Sequence, residues 1–181
     1  MDKLLILTTL LLKGILSQEQ STNCTSGGIP FNACQLSPIV FISGVTVNEN
    51  NCDGSFPSTG FITAPRILFD TAEEGAYYTF AFIGPGPFLN WLVVNIPDCA
   101  FLNGTLTSFP QVAYYIPPLT LFGVDFIFDA LVYKQSQKLS DEEFGGGQRV
   151  FFNMGDFAST NSLCGPIGGL QMRIYFSVVV K

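Results

Sequence analysis

The chain has 181 residues, 48% of them hydrophobic and 12% charged, a composition that suits one domain with a sizeable core and excludes disorder. A net charge of −6 argues against nucleic acid or an anionic membrane surface as partner. Histidine is absent, which removes the commonest general base, the commonest metal ligand and any Ser-His-Asp triad.

Residues 1–17, MDKLLILTTLLLKGILS, read as a secretory signal peptide: Lys3 precedes an apolar run over 4–12, and small Ser17 stands before the cleavage point. The run is too short to span a bilayer, so no transmembrane span is expected. The remainder, 18–181, reads as a single domain. Its first part, 18–56, is a cysteine-containing N-terminal extension with the first strand, and 57–181 is the body.

Five cysteines follow the leader: Cys24, Cys34, Cys52, Cys99 and Cys164. None forms a C-x-x-C pair and no histidine can join them, so neither a metal nor another cofactor is expected. In a secreted chain they read as two disulfides, with Cys24–Cys34 the expected close pair in a turn-rich segment, and one thiol left free or bonded to another chain. Asn23-Cys24-Thr25 and Asn103-Gly104-Thr105 are acceptors for N-glycosylation, which fits an extracellular protein.

The body reads mostly as strands. Short candidates span 39–47, 61–69 and 111–115, each interrupted or bounded by Pro, Gly or Asn. The centre is 77–97, YYTFAFIGPGPFLNWLVVNIP. An aromatic and β-branched run over 78–83 and a near-continuous apolar run over 91–96 flank the turn Gly84-Pro85-Gly86-Pro87. The second run fits a strand buried on both faces, and Trp91, the one tryptophan, opens it as a core residue. Further strands are expected over 126–133 and 170–180. Between them a short helix runs from Met154 to Leu163, capped by Asn153, with Asp156 at its third position and Gly165-Pro166 ending it. Ser140-Asp141-Glu142-Glu143 has the form of a capping box, but Gly145-Gly146-Gly147 cuts it off, so a turn is expected there.

Spread over 64–176, a series of motifs resembles the phosphatidylethanolamine-binding protein family, also called the raf kinase inhibitor protein family. They are Ala64-Pro65 leading to Leu68-Phe69-Asp70, Tyr78-Thr79, Asn90-Trp91-Leu92-Val93-Val94-Asn95-Ile96-Pro97, Tyr115-Ile116-Pro117-Pro118, Leu131-Val132-Tyr133-Lys134-Gln135, Phe152 with Phe157-Ala158, and Gly165-Pro166-Ile167-Gly168-Gly169. The resemblance implies an all-β dominated fold of two packed antiparallel sheets with a short C-terminal helix. It also implies a shallow anion pocket for phosphoryl headgroups. At the pocket positions the chain departs from the family. The Asp-Pro-Asp-x-Pro motif is replaced by Gly84-Pro85-Gly86-Pro87, the histidine before the tryptophan by Asn90, and the Gly-x-His-Arg pair by Phe126 and Ile127. Pro85, Pro87, Asn90, Trp91, Phe126 and Ile127 thus mark a degenerate pocket without cations.

Other candidate chemistry has plainer readings. Asp125 and Asp129 share one face of a strand about 13 Å apart, too far to share a proton, and read as a solvated face. Ser-Lys catalysis would need Lys134 or Lys138 desolvated. The triple glycine lacks the Lys and Ser/Thr of a phosphate loop, and Asp141-Glu142-Glu143 reads as a solvated charge run. The expected function is non-enzymatic: a secreted domain whose degenerate pocket binds a lipid or other hydrophobic ligand, or a protein partner. The alternatives are a secreted protease inhibitor acting through a surface loop, and a structural or interaction protein without a small ligand.

Overall fold

A computed structural model describes residues 25–120, 124–140 and 148–177. The leader 1–17, Asn23, Cys24, residues 141–147 and the end of the last expected strand lie outside the described residues. Ten strands and two α-helices are described. The strands are β1 (Ser37–Pro38), β2 (Val40–Ile42), β3 (Thr46–Val47), β4 (Ser55–Pro57), β5 (Arg66–Leu68), β6 (Tyr77–Gly84), β7 (Phe88–Pro97), β8 (Gln111–Ala113), β9 (Phe126–Gln135) and β10 (Leu163–Tyr175). The helices are α1 (Ala100–Asn103) and α2 (Met154–Thr160).

The larger sheet has seven strands in the order β1-β10-β9-β6-β7-β8, with β4 also paired to β10; the smaller has three, β3-β2-β5. Pairing is antiparallel throughout except where β1 and β4 lie parallel to β10. Sheet-dominated architecture in two sheets with one short helix near the C-terminal end is therefore what the molecule adopts.

The long apolar runs become β6, β7 and β9 because each has a core on both faces. One cluster lies between the two sheets and takes Phe41 and Ile67 from the small sheet and Phe80, Phe82, Trp91, Val93, Phe128, Val132 and Met172 from the large one. The second lies under α2 and takes Ala81, Ile83, Leu89, Leu92, Val94, Leu131 and Tyr133 together with Met154 and Ala158 of the helix. Strand alternation sends successive residues to opposite faces, so a strand covered on both sides must be apolar at nearly every position.

At the end of this slab where β9 leaves the sheet, the buried polar side chains are paired with one another. Gln135 Oε1 accepts from Thr79 Oγ1 at 3.1 Å and from the Asn95 amide at 2.7 Å, while its Nε2 donates to Asn95 Oδ1 at 2.9 Å. Asn95 adopts φ 58°, a left-handed conformation that asparagine tolerates better than most residues. The same side chain exchanges hydrogen bonds with the backbone of Leu139, at 2.9 and 2.8 Å. One buried network thus ties β6, β7 and β9 to the segment that leaves β9.

Several expectations need correction. The expected strand over 39–47 is broken into β2 and β3, because Gly44 packs so closely on Gly60 that a Cβ would lie 3.0 Å from its Cα. The stretch 61–69 is a strand only at β5, since Phe61 ends a 3-10 turn and Pro65 intervenes. The helix expected to reach Leu163 stops at Thr160, and Leu163 already begins β10. Gly165-Pro166 sits instead in a register shift of β10 against β9. Cys34 is bonded to Cys52, not to Cys24. The 3-10 turn Ala33–Gln35 buries Ala33 on the large sheet and sets Cys34 beside β10, where the amide of Gln171 donates to Cys52 Sγ at 3.3 Å. Cys164 is also disulfide-bonded, and Cys99 is exposed and free.

Trp91 is fully buried, as expected. Its ring packs edge-on against Phe80 and Tyr115, at centroid distances of 5.4 and 5.7 Å, and its indole N–H donates to Gln111 Oε1 at 2.8 Å. Replacing it with Ala should cost about 3–5 kcal/mol of unfolding free energy, read by denaturant unfolding. A loss under about 1 kcal/mol would mean the ring is peripheral to the core.

Candidate functional site

The candidate site is the end of the large sheet where β6 turns into β7. Three exposed residues, Pro85, Gly86 and Pro87, make the turn, with Gly86 at φ 74° where a side chain would be strained. The turn is followed by a bulge. Phe82 pairs with Trp91 and Ile83 with Leu89, which leaves Asn90 as an extra residue on β7. The bulge lets Leu89 face the α2 side and Trp91 the space between the sheets.

Asn90 is 1% exposed. Its Nδ2 donates to the carbonyl of Ile116 at 3.0 Å, and its own carbonyl accepts from the Ile116 amide at 2.8 Å. Its Oδ1 is buried with no hydrogen-bond partner. Such an orphan costs roughly 1–3 kcal/mol. The oxygen lies over Gly84: a Cβ added at Gly84 would be 2.9 Å from Asn90 Oδ1 and 2.6 Å from Phe128 Cε1. Phe128 is buried and packs on Phe82 at 5.5 Å between centroids. Tyr115 also stacks on Phe82, at 6.5 Å between centroids, and its hydroxyl donates to the carbonyl of Phe61 at 2.6 Å. That burial raises the Tyr115 pKa well above the ordinary phenol value, so it stays neutral. Phe128 from β9 and Asn90 from β7 thus both close on Gly84 and take the space a side chain would need there.

A cation does stand beside Asn90. Arg149 donates through Nη1 to the carbonyls of Leu89 and Asn90, at 3.0 and 3.3 Å, and through Nη2 to that of Tyr114 at 2.8 Å. Burial lowers its pKa without making it neutral. Its role is that of a clamp holding residues 149–152 to the start of β7, where the amides of Leu89 and Phe152 also donate across the same seam.

Of the six marked positions, only Asn90 and Trp91 come together. Pro85 and Pro87 stay on the exposed turn. Phe126 packs at the margin of the intersheet core, whereas Ile127 is 41% exposed on the opposite face. The sequence reading missed the part played by Phe128, and it read Gly84 only as part of the turn; the available signal was a glycine closing an otherwise large-residue strand. Lys134 is ion-paired with Glu73 at 2.6 Å and Lys138 is exposed, so neither is a desolvated amine. Among the described residues no group of three or more His, Cys, Asp or Glu could hold a metal ion.

Asp129 departs from its expected solvated face. It is 8% exposed, and Gln171 Nε2 is its hydrogen-bond donor at 3.2 Å. Burial raises its pKa from 3.8 to about 6 against that bond. Asp125, by contrast, is exposed and accepts from Ser55 Oγ at 3.1 Å.

No family model matches the chain. Solved structures do match it. A carboxypeptidase Y inhibitor complexed with its cognate proteinase aligns over 78% of this chain and 85% of that chain, at 12% identity and TM-score 0.60. The solution structure of the protein CG7054 covers 78% and 86%, at 20% identity and TM-score 0.56. A phosphatidylethanolamine-binding protein from Plasmodium vivax covers 77% and 86%, at 15% identity and TM-score 0.55. The likeness is one of fold.

The buried carboxyl gives a pH signature. With its folded pKa raised, the folded state holds the Asp129 proton more tightly than the unfolded chain does. Stability from this group is therefore full below about pH 4 and falls as pH rises to about 6, then stays lower. Asp129→Asn keeps an acceptor for Gln171 and removes the charge. It should raise stability above pH 6 by on the order of 3 kcal/mol and leave it nearly unchanged at pH 4, measured by unfolding across pH. Equal stability of the two proteins at pH 8 would contradict the burial of a charge here.

Proposed function

On a fold shared with phosphatidylethanolamine-binding proteins, we propose that this chain is a secreted, non-enzymatic binding domain that has lost headgroup binding and acts on a protein partner as a protease inhibitor. The observation that carries the loss of headgroup binding is that Phe128 and Asn90 fill the space over Gly84, where the family resemblance sets the anion pocket. A phosphoryl group held there would need positive charge and donors to offset its lost hydration. The nearby guanidinium of Arg149 is spent on backbone carbonyls. A neighbour of the same fold is a carboxypeptidase Y inhibitor complexed with its cognate proteinase, which supports an inhibitory activity. The lipid-tail alternative has less support, since Trp91, Phe128 and Phe82 fill the intersheet space at this end. The disulfide of Cys34 with Cys52 and the leader-like 1–17 support an extracellular setting. Asn103 is exposed beside Thr105, whose amide donates to its Oδ1 at 2.9 Å, and is the proposed glycan acceptor.

Isothermal titration with phosphorylethanolamine and with a short-chain phosphatidylethanolamine tests the first half, and a panel of serine endopeptidases and carboxypeptidases tests the second. No heat is expected from the headgroup, and inhibition of at least one proteinase is. Micromolar headgroup binding that disappears in Asn90→Ala would overturn the loss of headgroup binding.

A further inference from the structure

Phe31 stands entirely in solvent, with 103% relative exposure, the highest of the exposed large hydrophobic residues described. The backbone on both sides of it is tied down. On the N-terminal side the Gly27 amide donates to the Gly165 carbonyl at 2.7 Å, the Gly165 amide donates to the Thr25 carbonyl at 3.0 Å, and Ser26 Oγ donates to the Leu163 carbonyl at 2.6 Å. The Tyr133 hydroxyl donates to the Gly28 carbonyl at 3.2 Å. On the C-terminal side Asn32 Oδ1 accepts from the Cys34 amide at 2.8 Å, Ala33 is fully buried, and Cys34 is bonded to Cys52. Between these anchors lie Ile29, Pro30 and Phe31, and the proline ring fixes one dihedral. A large aromatic side chain is thus presented on a short segment whose ends cannot separate.

We propose that this loop is a substrate-like inhibitory loop, and that its partner is a serine endopeptidase of chymotrypsin type with Phe31 in the S1 pocket. The proposal rests on the protease-inhibitor reading above and specifies its site and target class. A large ring needs a deep apolar slot, which is how chymotrypsin-type enzymes select the residue before the scissile bond. No charged residue lies between Thr25 and Leu36 to oppose entry into such a slot. A loop held before binding loses little freedom on binding, which favours affinity. Ile29 and the exposed Phe151 line a neighbouring cleft of about 290 Å³ and extend the apolar surface beside the loop. Hydrolysis of the Phe31–Asn32 bond would add one water across the amide, leaving a Phe31 carboxylate and an Asn32 amine. Both new ends would stay anchored, one through Ser26 and Gly27 on β10 and the other through Cys34, so the cut loop is retained.

The test measures inhibition of chymotrypsin and trypsin by the full chain, using small chromogenic substrates, for the native protein, Phe31→Gly, Phe31→Arg and the remote control Leu102→Ala. Chymotrypsin inhibition is expected from the native protein and the control. Phe31→Gly should weaken it about 100-fold or more, and Phe31→Arg should transfer inhibition to trypsin. The melting temperature should not move, since the side chain touches nothing. Inhibition of chymotrypsin that ignores both changes at Phe31, or rapid cleavage at Phe31–Asn32 without inhibition, would overturn the loop. If only proteinases of other classes in the wider panel are inhibited, the loop proposal falls and the inhibitor reading stands. If no proteinase is inhibited, both fall.

Discussion

The Phe128 ring and the side chain of Asn90 both close on Gly84, and this packing sets how much space this end of the sheet leaves. Gly84 has no side chain, and the space a Cβ would need is already taken by the ring and by Asn90 Oδ1. The bulge at Asn90 creates the situation: it turns Trp91 inward, turns Leu89 to the opposite core, and leaves an amide with one satisfied and one unsatisfied end. Burial of an unpartnered oxygen is costly, and here the packing of Tyr115 and Phe128 against Phe82 offsets it.

That arrangement is stable because the three central strands are held from both faces and at both ends. Apolar cover comes from the small sheet on one side and from α2 with the Ala33 turn on the other. At the far end Gln135 and Asn95 lock β6, β7 and β9 through paired amides. At the near end Arg149 fastens the 149–152 segment to β7, so the exposed Phe151 is carried on a fixed strap despite its φ of 54°. A slab held this way can present its outer loops without reorganising.

Much of this was legible in the residues, for reasons that also explain what was not. The runs 78–83 and 91–96 are apolar at successive positions, and only two-sided burial accounts for that, as β6 and β7 confirm. The absence at Gly84 to Pro87, Asn90, Phe126 and Ile127 of the carboxylates and histidines that the resemblance implies was visible in the sequence. Contacts between distant segments were not. Asp129 looked solvated because strand alternation gives a side but not what covers it. Cys34 looked closest to Cys24 by separation, yet the 3-10 turn directs it to Cys52. Gly165-Pro166 looked like a helix stop, whereas it interrupts the pairing of a strand. Phe128 was read as one more strand residue, because nothing local says that the glycine across the sheet leaves it room.

The closed packing at this end is tested most directly at Gly84 itself. Its φ is not in the left-handed region, so alanine there is opposed by space alone. Chemical unfolding of Gly84→Ala is the measurement. Overpacking of this kind should lower stability by about 1–3 kcal/mol as Phe128 or Asn90 is forced aside. A variant as stable as the native protein, or more so, would mean that the space is open and would contradict the filled site on which the functional account stands.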